Sequence, residues 1–351
     1  ADVSDAAGNA AAQVTSSSFT VDTTAPSINA IATSALSWGD VLNATEDDSD
    51  GTVTVTTVGV EDGQAVTITL NSATYTANVS SNSATVTITA SGLQALTSGQ
   101  TYTLTADVSD AAGNAAAQVT SSSFTVDTTA PTITSVTSTT NDGTYNENDT
   151  VNVTVTFSEA VTLAGGNLVV TLETGDTDRT VTITEITSST TASGTYTVQS
   201  GDTSSDLTAS GIALSAGTLK DAGGNAMSDF SIGSNLAANS ALVIDTTAPT
   251  VTGVDSSTDA GAYIAGDEIS IQVTFSETVN VTGTPQLTLE TGGSDAVVDY
   301  ASGSGSSVLT FTYTVGSNQT SSDLDYASTT ALALNGGTIQ DVGGNNATLT
   351  L

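Results

Sequence analysis

Residues 106–131 read ADVSDAAGNAAAQVTSSSFTVDTTAP, and residues 1–26 carry the same sequence without a single change. The closing phrase DTTAP occurs a third time at Asp245–Pro249. A long exact repeat of this kind predicts several copies of one small fold in series. The boundaries fall after Pro26, Pro131 and Pro249. We therefore expect the chain to start inside one repeat and to stop just before the end of another, as a piece of a longer array.

These boundaries predict four segments. Residues 1–26 are expected to be the C-terminal remnant (strands F and G) of a preceding repeat, with its linker. Residues 27–131 form a complete repeat, and residues 132–249 form a repeat of a second subtype. Residues 250–351 form another repeat of that subtype, lacking its final linker. Residues 1–26 lack strands A to E of their repeat and cannot build a core. We expect roughly the first 20 residues to be mobile, or ordered only by pairing with a sheet edge of another molecule.

Strictly alternating apolar residues mark the strands. Examples are TVTVTTV (52–58), TYTLTADV (101–108), VNVTVTF (151–157) and EISIQVTF (268–275). This period puts Val, Ile and Phe on one face and Thr or Ser on the other. About seven short strands per hundred residues, separated by Gly, Asn, Asp and Ser, are typical of a β-sandwich. The sequence therefore predicts an all-β fold of tandem sandwiches.

Two features interrupt the strand pattern. The one plausible helical turn is GLQALTSG (92–99), followed by Tyr102 where a sandwich carries its corner tyrosine before strand F. Trp38 is the only tryptophan. It could be a binding platform, but such a residue more often plugs the end of its own sandwich.

The linkers are short and contain proline. Pro26, Pro131 and Pro249 each fix their own φ and force the preceding Ala into an extended conformation. Each linker is therefore expected to be stiff rather than a flexible tether. Three complete sandwiches joined in this way predict an end-to-end rod on the order of 120 Å long.

Charge and cysteine content exclude several classes of function. The chain has 37 acidic residues against two basic ones, Arg179 and Lys220, and its formal charge is −35. Such a chain lacks the cations that bind nucleic acid or an anionic membrane surface, but it can hold hard cations such as Ca²⁺. With no Cys there are no disulfides, no structural zinc sites and no thiol catalysis. No run of 18 apolar residues occurs, so direct membrane insertion is not expected.

Acidic residues recur at the same three positions of each repeat, namely the incoming linker, the B–C turn and the F–G turn. Three carboxylates converging at one pole repel one another unless a cation neutralises them. The competing interpretation is that Asp, Asn and Gly are ordinary turn formers and DAAGN is a hairpin turn without a metal. The candidate ligands are Asp22, Glu61, Asp62, Asp107, Asp110 and Asn114 in the first complete repeat, Asp127, Glu159, Asp221 and Asn225 in the second, and Asp245, Glu277, Asp341 and Asn345 in the third.

A second acidic set occupies the A–B loops, at the opposite pole of each repeat. Because the bottom of one repeat faces the top of the next, these acids either join the junction sites or remain solvated, and the sequence leaves both alternatives open. They are Glu46, Asp47, Asp48, Glu147, Asp149, Asp267 and Glu268.

The DAAGN hairpin followed by SFTVDTTAP resembles the bacterial Ig-like extender repeats of giant calcium-dependent adhesins secreted by the type I (RTX) route. VTFSEAV and LKDAGGN resemble a second subtype of the same repeats. The resemblance implies an extracellular, cell-surface stalk that Ca²⁺ rigidifies and that projects a ligand-binding tip for cell attachment or biofilm formation. The implied calcium ligands are the linker, F–G and B–C residues named above. The implied partners are neighbouring repeats, with the tip ligand outside this chain.

Two alternatives come from other classes of protein. One repeat could itself be a binding module for sugar, peptide or ice, because Thr-rich strands could order ice. The chain could also be an enzyme, but it has no His and no Cys, and no nucleophile elbow of the G-x-S-x-G type. Acidic clusters that repeat in every unit indicate structure, whereas an active site is normally unique. The sequence therefore predicts no enzymatic activity.

Overall fold

The structure, a computed structural model, describes residues 2–351. The backbone divides into two compact units. The first comprises Ala1–Ala130 with Lys220–Ala226, and the second comprises Pro131–Leu219 with Met227–Leu351. The described residues form three separate hydrophobic cores, one in the first unit and two in the second. Each core falls within one predicted repeat, and the exact repeat boundaries remain a prediction.

The first unit encloses a core that runs from Ile28 to Val126. Its longest strand, Gly51–Val58, alternates buried and accessible residues as the sequence pattern predicts. The strands are β1 Ser27–Ile28, β2 Val41–Asn43, β3 Gly51–Val58, β4 Ala65–Leu70, β5 Ala73–Asn78, β6 Ser83–Ile88, β7 Thr101–Tyr102, β8 Thr105–Asp107, β9 Val119–Thr120 and β10 Phe124–Asp127, with a 3₁₀ turn at Thr33–Ala35 and a short helix at Ala90–Leu93. One sheet has the order β1-β3-β6, a second β5-β4-β8-β9 and a third β2-β10-β7.

The first core of the second unit runs from Ile133 to Ile244. Its central strand, Thr150–Ala164, pairs on one side with Ile133–Thr137 and on the other with Ser189–Thr197. The strands are β11 Ile133–Thr137, β12 Gly143–Tyr145, β13 Thr150–Ala164, β14 Leu168–Glu173, β15 Arg179–Ile183, β16 Ser189–Thr197, β17 Thr203–Ser204, β18 Thr208–Leu214, β19 Thr218–Lys220, β20 Ile232–Ser234 and β21 Leu242–Asp245, with a 3₁₀ turn at Leu236–Ala238.

The second core of this unit runs from Ile269 to Ile339. Its central strand, Glu268–Thr282, repeats the register of the preceding core, because Val251 faces Phe275 just as Ile133 faces Phe157. The strands are β22 Val251–Ser256, β23 Glu268–Thr282, β24 Gln286–Glu290, β25 Ala296–Ser302, β26 Ser306–Thr314, β27 Asp325–Tyr326, β28 Leu332–Ala333 and β29 Thr338–Gln340.

In each of the first two sandwiches, the last strand pairs in parallel with a short strand near the start of the repeat. β10 runs parallel to β2, with Val126 beside Leu42, and β21 runs parallel to β12, with Ile244 beside Tyr145. The last strand of each repeat thereby lies beside the short strand that precedes the longest strand of that repeat. This pair carries the chain directly into the linker and positions the linker aspartate.

The predicted all-β fold is confirmed, with one strand altered. TYTLTADV is interrupted into β7 and β8, because the backbone N–H of Leu104 donates to the Ser121 hydroxyl (3.0 Å) instead of continuing a ladder. The predicted helical turn is real but begins earlier, at Ala90, and ends at Leu93.

Both aromatic predictions in the first unit are confirmed. The Tyr102 hydroxyl accepts a hydrogen bond from the Thr97 backbone N–H at 3.0 Å, which is the contact a corner tyrosine makes. Trp38 is 5% exposed and meets the edge of Phe124 at a ring-centroid distance of 5.4 Å. It is therefore a core residue and not a surface platform.

The segment before Pro26 belongs to no strand and to no core cluster. Residues 2–25 are exposed, with one isolated bridge between Ser4 and Ala10. Its predicted mobility remains a prediction, and Ala1 lies outside the described residues. In residues 2–351, no helix has the length and apolar character needed to span a membrane.

Candidate metal centre

Three carboxylates meet in the second unit. Asp245 ends β21, Glu277 lies within β23 and Asp341 follows β29. One carboxylate oxygen from each lies within 4.8 Å of the others. Asp341 is buried, and the other two residues are half-buried. The sequence predicted this trio from three different stations, and the fold brings the three together.

This cluster has no basic partner. Within residues 2–351, the one ion pair joins Arg179 to Asp202. Burial raises the pKa of the Glu277 carboxyl, and the nearby charges of Asp341 and Asp245 raise it further. Three acidic oxygens at this spacing are the hard ligands that Ca²⁺ selects. A divalent cation would neutralise the repulsion among these three carboxylates.

Asn345 holds the F–G hairpin in place. Its backbone N–H and side-chain amide donate to the two carboxylate oxygens of Asp341, each at 2.8 Å. The same amide also donates to the backbone carbonyl of Asp245 at 2.9 Å. Asn345 therefore ties the hairpin to the linker and orients Asp341, and its role as a metal ligand remains a prediction. The Asp245 carboxylate also accepts from the Thr247 N–H at 3.0 Å, which fixes the linker turn.

An A–B loop asparagine, which the sequence analysis did not single out, packs against this hairpin. The Asn146 side-chain amide donates to the Gly343 carbonyl at 2.9 Å. The Asn146 backbone N–H in turn donates to the Asp149 carboxylate at 2.9 Å. Through this hydrogen bond, Asp149 stabilises the conformation of its own A–B loop. The signal that could have revealed this contact is Asn followed three residues later by an acid.

The first unit repeats this contact. Asn43 donates to the Gly223 carbonyl at 3.1 Å, and its own N–H donates to Glu46 at 3.1 Å. Asn225 accepts from the Ala44 N–H at 2.9 Å.

Asn225 also makes the contacts that Asn345 makes. Its side-chain amide donates to the Asp127 carbonyl at 2.9 Å and to Asp221 at 2.8 Å. Asp127, Asp221 and Asn225 are therefore arranged like Asp245, Asp341 and Asn345. Glu159 lies half-buried in β13 of the second unit, at the position that Glu277 occupies in β23.

At the other pole of the first unit, Asn114 bridges Asp110 and the Asp22 carbonyl, at 2.8 and 3.1 Å. Glu61 accepts from the Ala111 N–H at 2.8 Å. The hydrogen bond from the Asn114 amide is the main cause of a lowered pKa at Asp110. In the described residues of this unit, no three carboxylates of its own lie as close together as Asp245, Glu277 and Asp341 do.

The two remaining candidates make other contacts. Asp62 accepts from the Ser81 N–H at 2.8 Å, across a hairpin. Asp107 accepts from the Gln118 side chain at 2.9 and 3.1 Å. Both residues remain predictions as metal ligands.

One acid outside the candidate metal ligands is part of a buried network. Asp202 is 1% exposed and accepts from Arg179, the Tyr196 hydroxyl and the Gln199 N–H at 2.7, 2.7 and 2.9 Å. Burial and then the hydrogen bond to Asp202 raise the pKa of Tyr196. This site is structural, because the guanidinium already neutralises the carboxylate.

The next repeat contains the same hydrogen-bond network, but the groups that form it are uncharged. Gln319 accepts from the Tyr313 hydroxyl at 2.8 Å and from the Gly316 N–H at 2.7 Å. No arginine accompanies it there, and a neutral amide takes the place of the carboxylate. The two versions show that the network serves the turn and not a metal.

Comparison with known proteins identifies similar solved structures. No protein-family model matches the chain, and no curated protein matches it. One similar structure is a Ca²⁺-stabilised adhesin of an Antarctic bacterium that binds ice, with 27% identity over 88% of this chain and 72% of that one and a TM-score of 0.42. A second belongs to a 1.5-MDa bacterial ice-binding adhesin, with 21% identity, 82% and 86% coverage and a TM-score of 0.43.

A third similar structure is a bacterial immunoglobulin-like domain from the M. primoryensis ice-binding adhesin. It is 33% identical and covers 29% of this chain and 95% of that domain, with a TM-score of 0.22. Each of these similar structures comes from a bacterial adhesin that binds ice, and each has a TM-score below 0.5.

Proposed function

We propose that this chain is a structural extender of a large bacterial surface adhesin, whose linkers Ca²⁺ rigidifies. The carrying observation is the Asp245–Glu277–Asp341 cluster, because it joins the linker to the following sandwich and has no basic counter-charge. A cation there would connect β21, β23 and the hairpin after β29. The similar structures belong to adhesins, one described as Ca²⁺-stabilised, which supports this role.

The proposal places the chain outside the cell, on a bacterial surface, with neighbouring repeats as its partners. Extracellular calcium modules bind at about 10⁻⁴–10⁻³ M, so such a linker would load outside the cell and stay metal-free in the cytosol before export. Because the acidic stations recur at linkers and not in one cleft, they favour a stalk over a separate binding module.

Calcium titration of the full chain by calorimetry tests the site. Glu277→Gln and Asp341→Asn are expected to remove one class of binding sites, because each takes away one of three converging carboxylates. Glu185→Gln is the matched control, since it removes an equal charge from an exposed position. If both site variants bind Ca²⁺ as the parent does, the cluster is not a calcium site.

Small-angle scattering tests the mechanical role. With Ca²⁺ the maximum dimension is expected to be larger and better defined than with chelator, and Asp245→Ala should reduce that difference. The Asp22 and Asp127 linkers are proposed to behave in the same way. Identical profiles with and without metal would remove calcium from the mechanism while leaving the stalk role open to other tests.

We also propose that the chain catalyses no reaction. Its acidic clusters repeat, and it has neither His nor Cys. A screen against glycoside, ester and peptide substrates is expected to show no turnover. Turnover that a single point substitution abolishes would contradict this.

A further inference from the structure

In the second unit, the A–B loop of one sandwich contacts the F–G hairpin of the other. The loop comprises residues 145–149, and the hairpin comprises residues 341–345. The side-chain amide of Asn146, which is half-buried, donates to the Gly343 carbonyl at 2.9 Å. We call this contact the loop–hairpin latch. Because it joins an amide to a carbonyl, it needs no cation.

The first unit contains the same latch. The hairpin Lys220–Ala226 belongs to that unit. Asn43 donates to the Gly223 carbonyl at 3.1 Å, and the Ala44 backbone N–H donates to the side-chain oxygen of Asn225 at 2.9 Å. In both units, therefore, an A–B loop asparagine binds the carbonyl of the first glycine in a Gly-Gly-Asn hairpin.

The loop does not need the asparagine amide for its own turn. The backbone N–H of Asn146 closes the turn by donating to the carboxylate three residues later. At the equivalent position of the last sandwich, the Ile264 N–H donates to the Asp267 carboxylate at 2.8 Å. An isoleucine side chain cannot donate, and the turn still forms. The amide of Asn146 therefore serves the hairpin and not the loop.

Two glycines allow the hairpin to approach this loop. A Cβ atom on Gly344 would lie 3.1 Å from the Asn146 amide nitrogen, and one on Gly343 would lie 3.2 Å from the Thr144 methyl carbon. The hairpin of the first complete repeat carries Ala112 at the position of Gly343, and it closes with the same Asp–Asn hydrogen bonds. The hairpin turn thus tolerates alanine there, and the glycine fits the neighbouring loop.

The latched hairpin carries one of the clustered carboxylates. Asp341 lies within 4.8 Å of Asp245 and Glu277, measured between carboxylate oxygens. Asn345 attaches the hairpin to the linker through the Asp245 carbonyl. The latch attaches the same hairpin to the preceding sandwich, so the position of Asp341 depends on both contacts.

We propose that Asn146 is a positioning residue with two effects. Its latch restricts the two sandwiches of the second unit to one orientation without metal, and it presents Asp341 to the cation. Only the second effect rests on the proposed calcium role. A cation that enters a junction already ordered loses less of its binding free energy to conformational entropy. Within the first unit, Asn43 holds the hairpin that carries Asp221 in the same way.

The distance between two spin labels tests the first effect in the full chain, which has no Cys of its own. Thr180→Cys and Val297→Cys place one label on each sandwich, at exposed positions. The measurement uses chelator and high salt, which screens the repulsion between carboxylates. Asn146→Ile is expected to widen the distance distribution about twofold, because it removes the hydrogen bond of the latch. Asn141→Ile is the matched control, since Asn141 is exposed just before β12, and it should match the parent.

A second pair of variants tests the close approach. Gly343→Ala should also widen the distribution, because its methyl group crowds the methyl group of Thr144. Thr144→Ser removes that second methyl group, and the double variant should recover the distribution of the parent. A general loss of stability would not be rescued in this way. Circular dichroism of each variant checks that the β-structure is retained.

Calcium titration by calorimetry tests the second effect. Asn146→Ile is expected to weaken Ca²⁺ binding at the Asp245–Glu277–Asp341 cluster by about 2- to 10-fold, which corresponds to the net contribution of one hydrogen bond. Asn141→Ile should leave this affinity unchanged.

Two results would overturn the latch, namely a distance distribution in Asn146→Ile as narrow as that of the parent, or equal widening in Asn141→Ile. Unchanged Ca²⁺ affinity in Asn146→Ile would overturn its role in positioning Asp341. A parent chain that binds no Ca²⁺ would refute the proposed calcium role, whereas the measurement in chelator would still support or refute the latch. The two failures are therefore distinguishable.

Discussion

Residues 2–26 and residues 107–131 have the same sequence and different structures. Phe19 is 84% exposed, whereas Phe124 is 1% exposed and packs against Trp38 and Tyr102. FTVD forms strand β10 in the second copy and no strand in the first. The local sequence FTVD therefore does not by itself determine whether the segment forms a strand. The strand exists where β2 and β7 supply its partners.

Other features are the same in both copies. Asp5 accepts from the backbone and side chain of Asn9 at 2.9 Å, just as Asp110 accepts from Asn114 at 2.7 and 2.8 Å. The glycine between them has a positive φ in each copy, +86° at Gly8 and +93° at Gly113. The hairpin turn is therefore set by its own residues.

The largest expected difference concerns the phenylalanine. Phe124→Ala should lower the free energy of unfolding by about 3–5 kcal/mol, because it leaves a cavity beside Trp38. Phe19→Ala should leave it unchanged in dilute monomer. Denaturant unfolding followed by Trp38 fluorescence measures both, since Trp38 is the only tryptophan and lies in this core. Equal effects of the two substitutions would show that the N-terminal copy is also packed.

The asparagine should give an intermediate difference. Asn114→Ala removes bonds to Asp110 and to the Asp22 carbonyl, and should cost about 1–3 kcal/mol. Asn9→Ala breaks only the local bonds to Asp5 and should not shift the Trp38 transition. If Asn9→Ala lowers the free energy of unfolding as much as Asn114→Ala does, the N-terminal turn is not independent of the packed domain.

The smallest difference is expected in titration. The hydrogen bonds from Asn9 lower the pKa of Asp5, and the same cause acts at Asp110. A lowered pKa means that the turn is stabilised above the ordinary pKa of aspartate, and that this stabilisation is lost as pH falls through the lowered value. Carboxyl NMR titration should show lowered values for both residues.

Asn9→Ala should return the pKa of Asp5 toward its ordinary value, with Asp110 as the internal reference. An ordinary pKa for Asp5 in the parent would mean that this turn forms only where a complete sandwich surrounds it, as at Asp110.

Much of the candidate site was predictable from sequence. Asp245, Glu277 and Asp341 were named from their stations, because a strand pattern and turn residues place a linker, a B–C turn and an F–G turn at one pole. The contact of Asn146 with Gly343 was not predicted, since an asparagine in a loop has no periodicity that distinguishes a bridging side chain from a solvated one. The role of Asp202 was missed for the same reason.

The sequence by itself determined the alternating strands, the Asx hairpins and the repeat pattern, because each depends on residues within a few positions of one another. The tertiary structure alone decided which FTVD segment becomes a strand and which aspartate is paired with Arg179. It also brings the three carboxylates named from the sequence within 4.8 Å of one another. Those outcomes depend on partners far away in the chain, and burial and hydrogen-bond pairing are properties of such partners rather than of the segment itself.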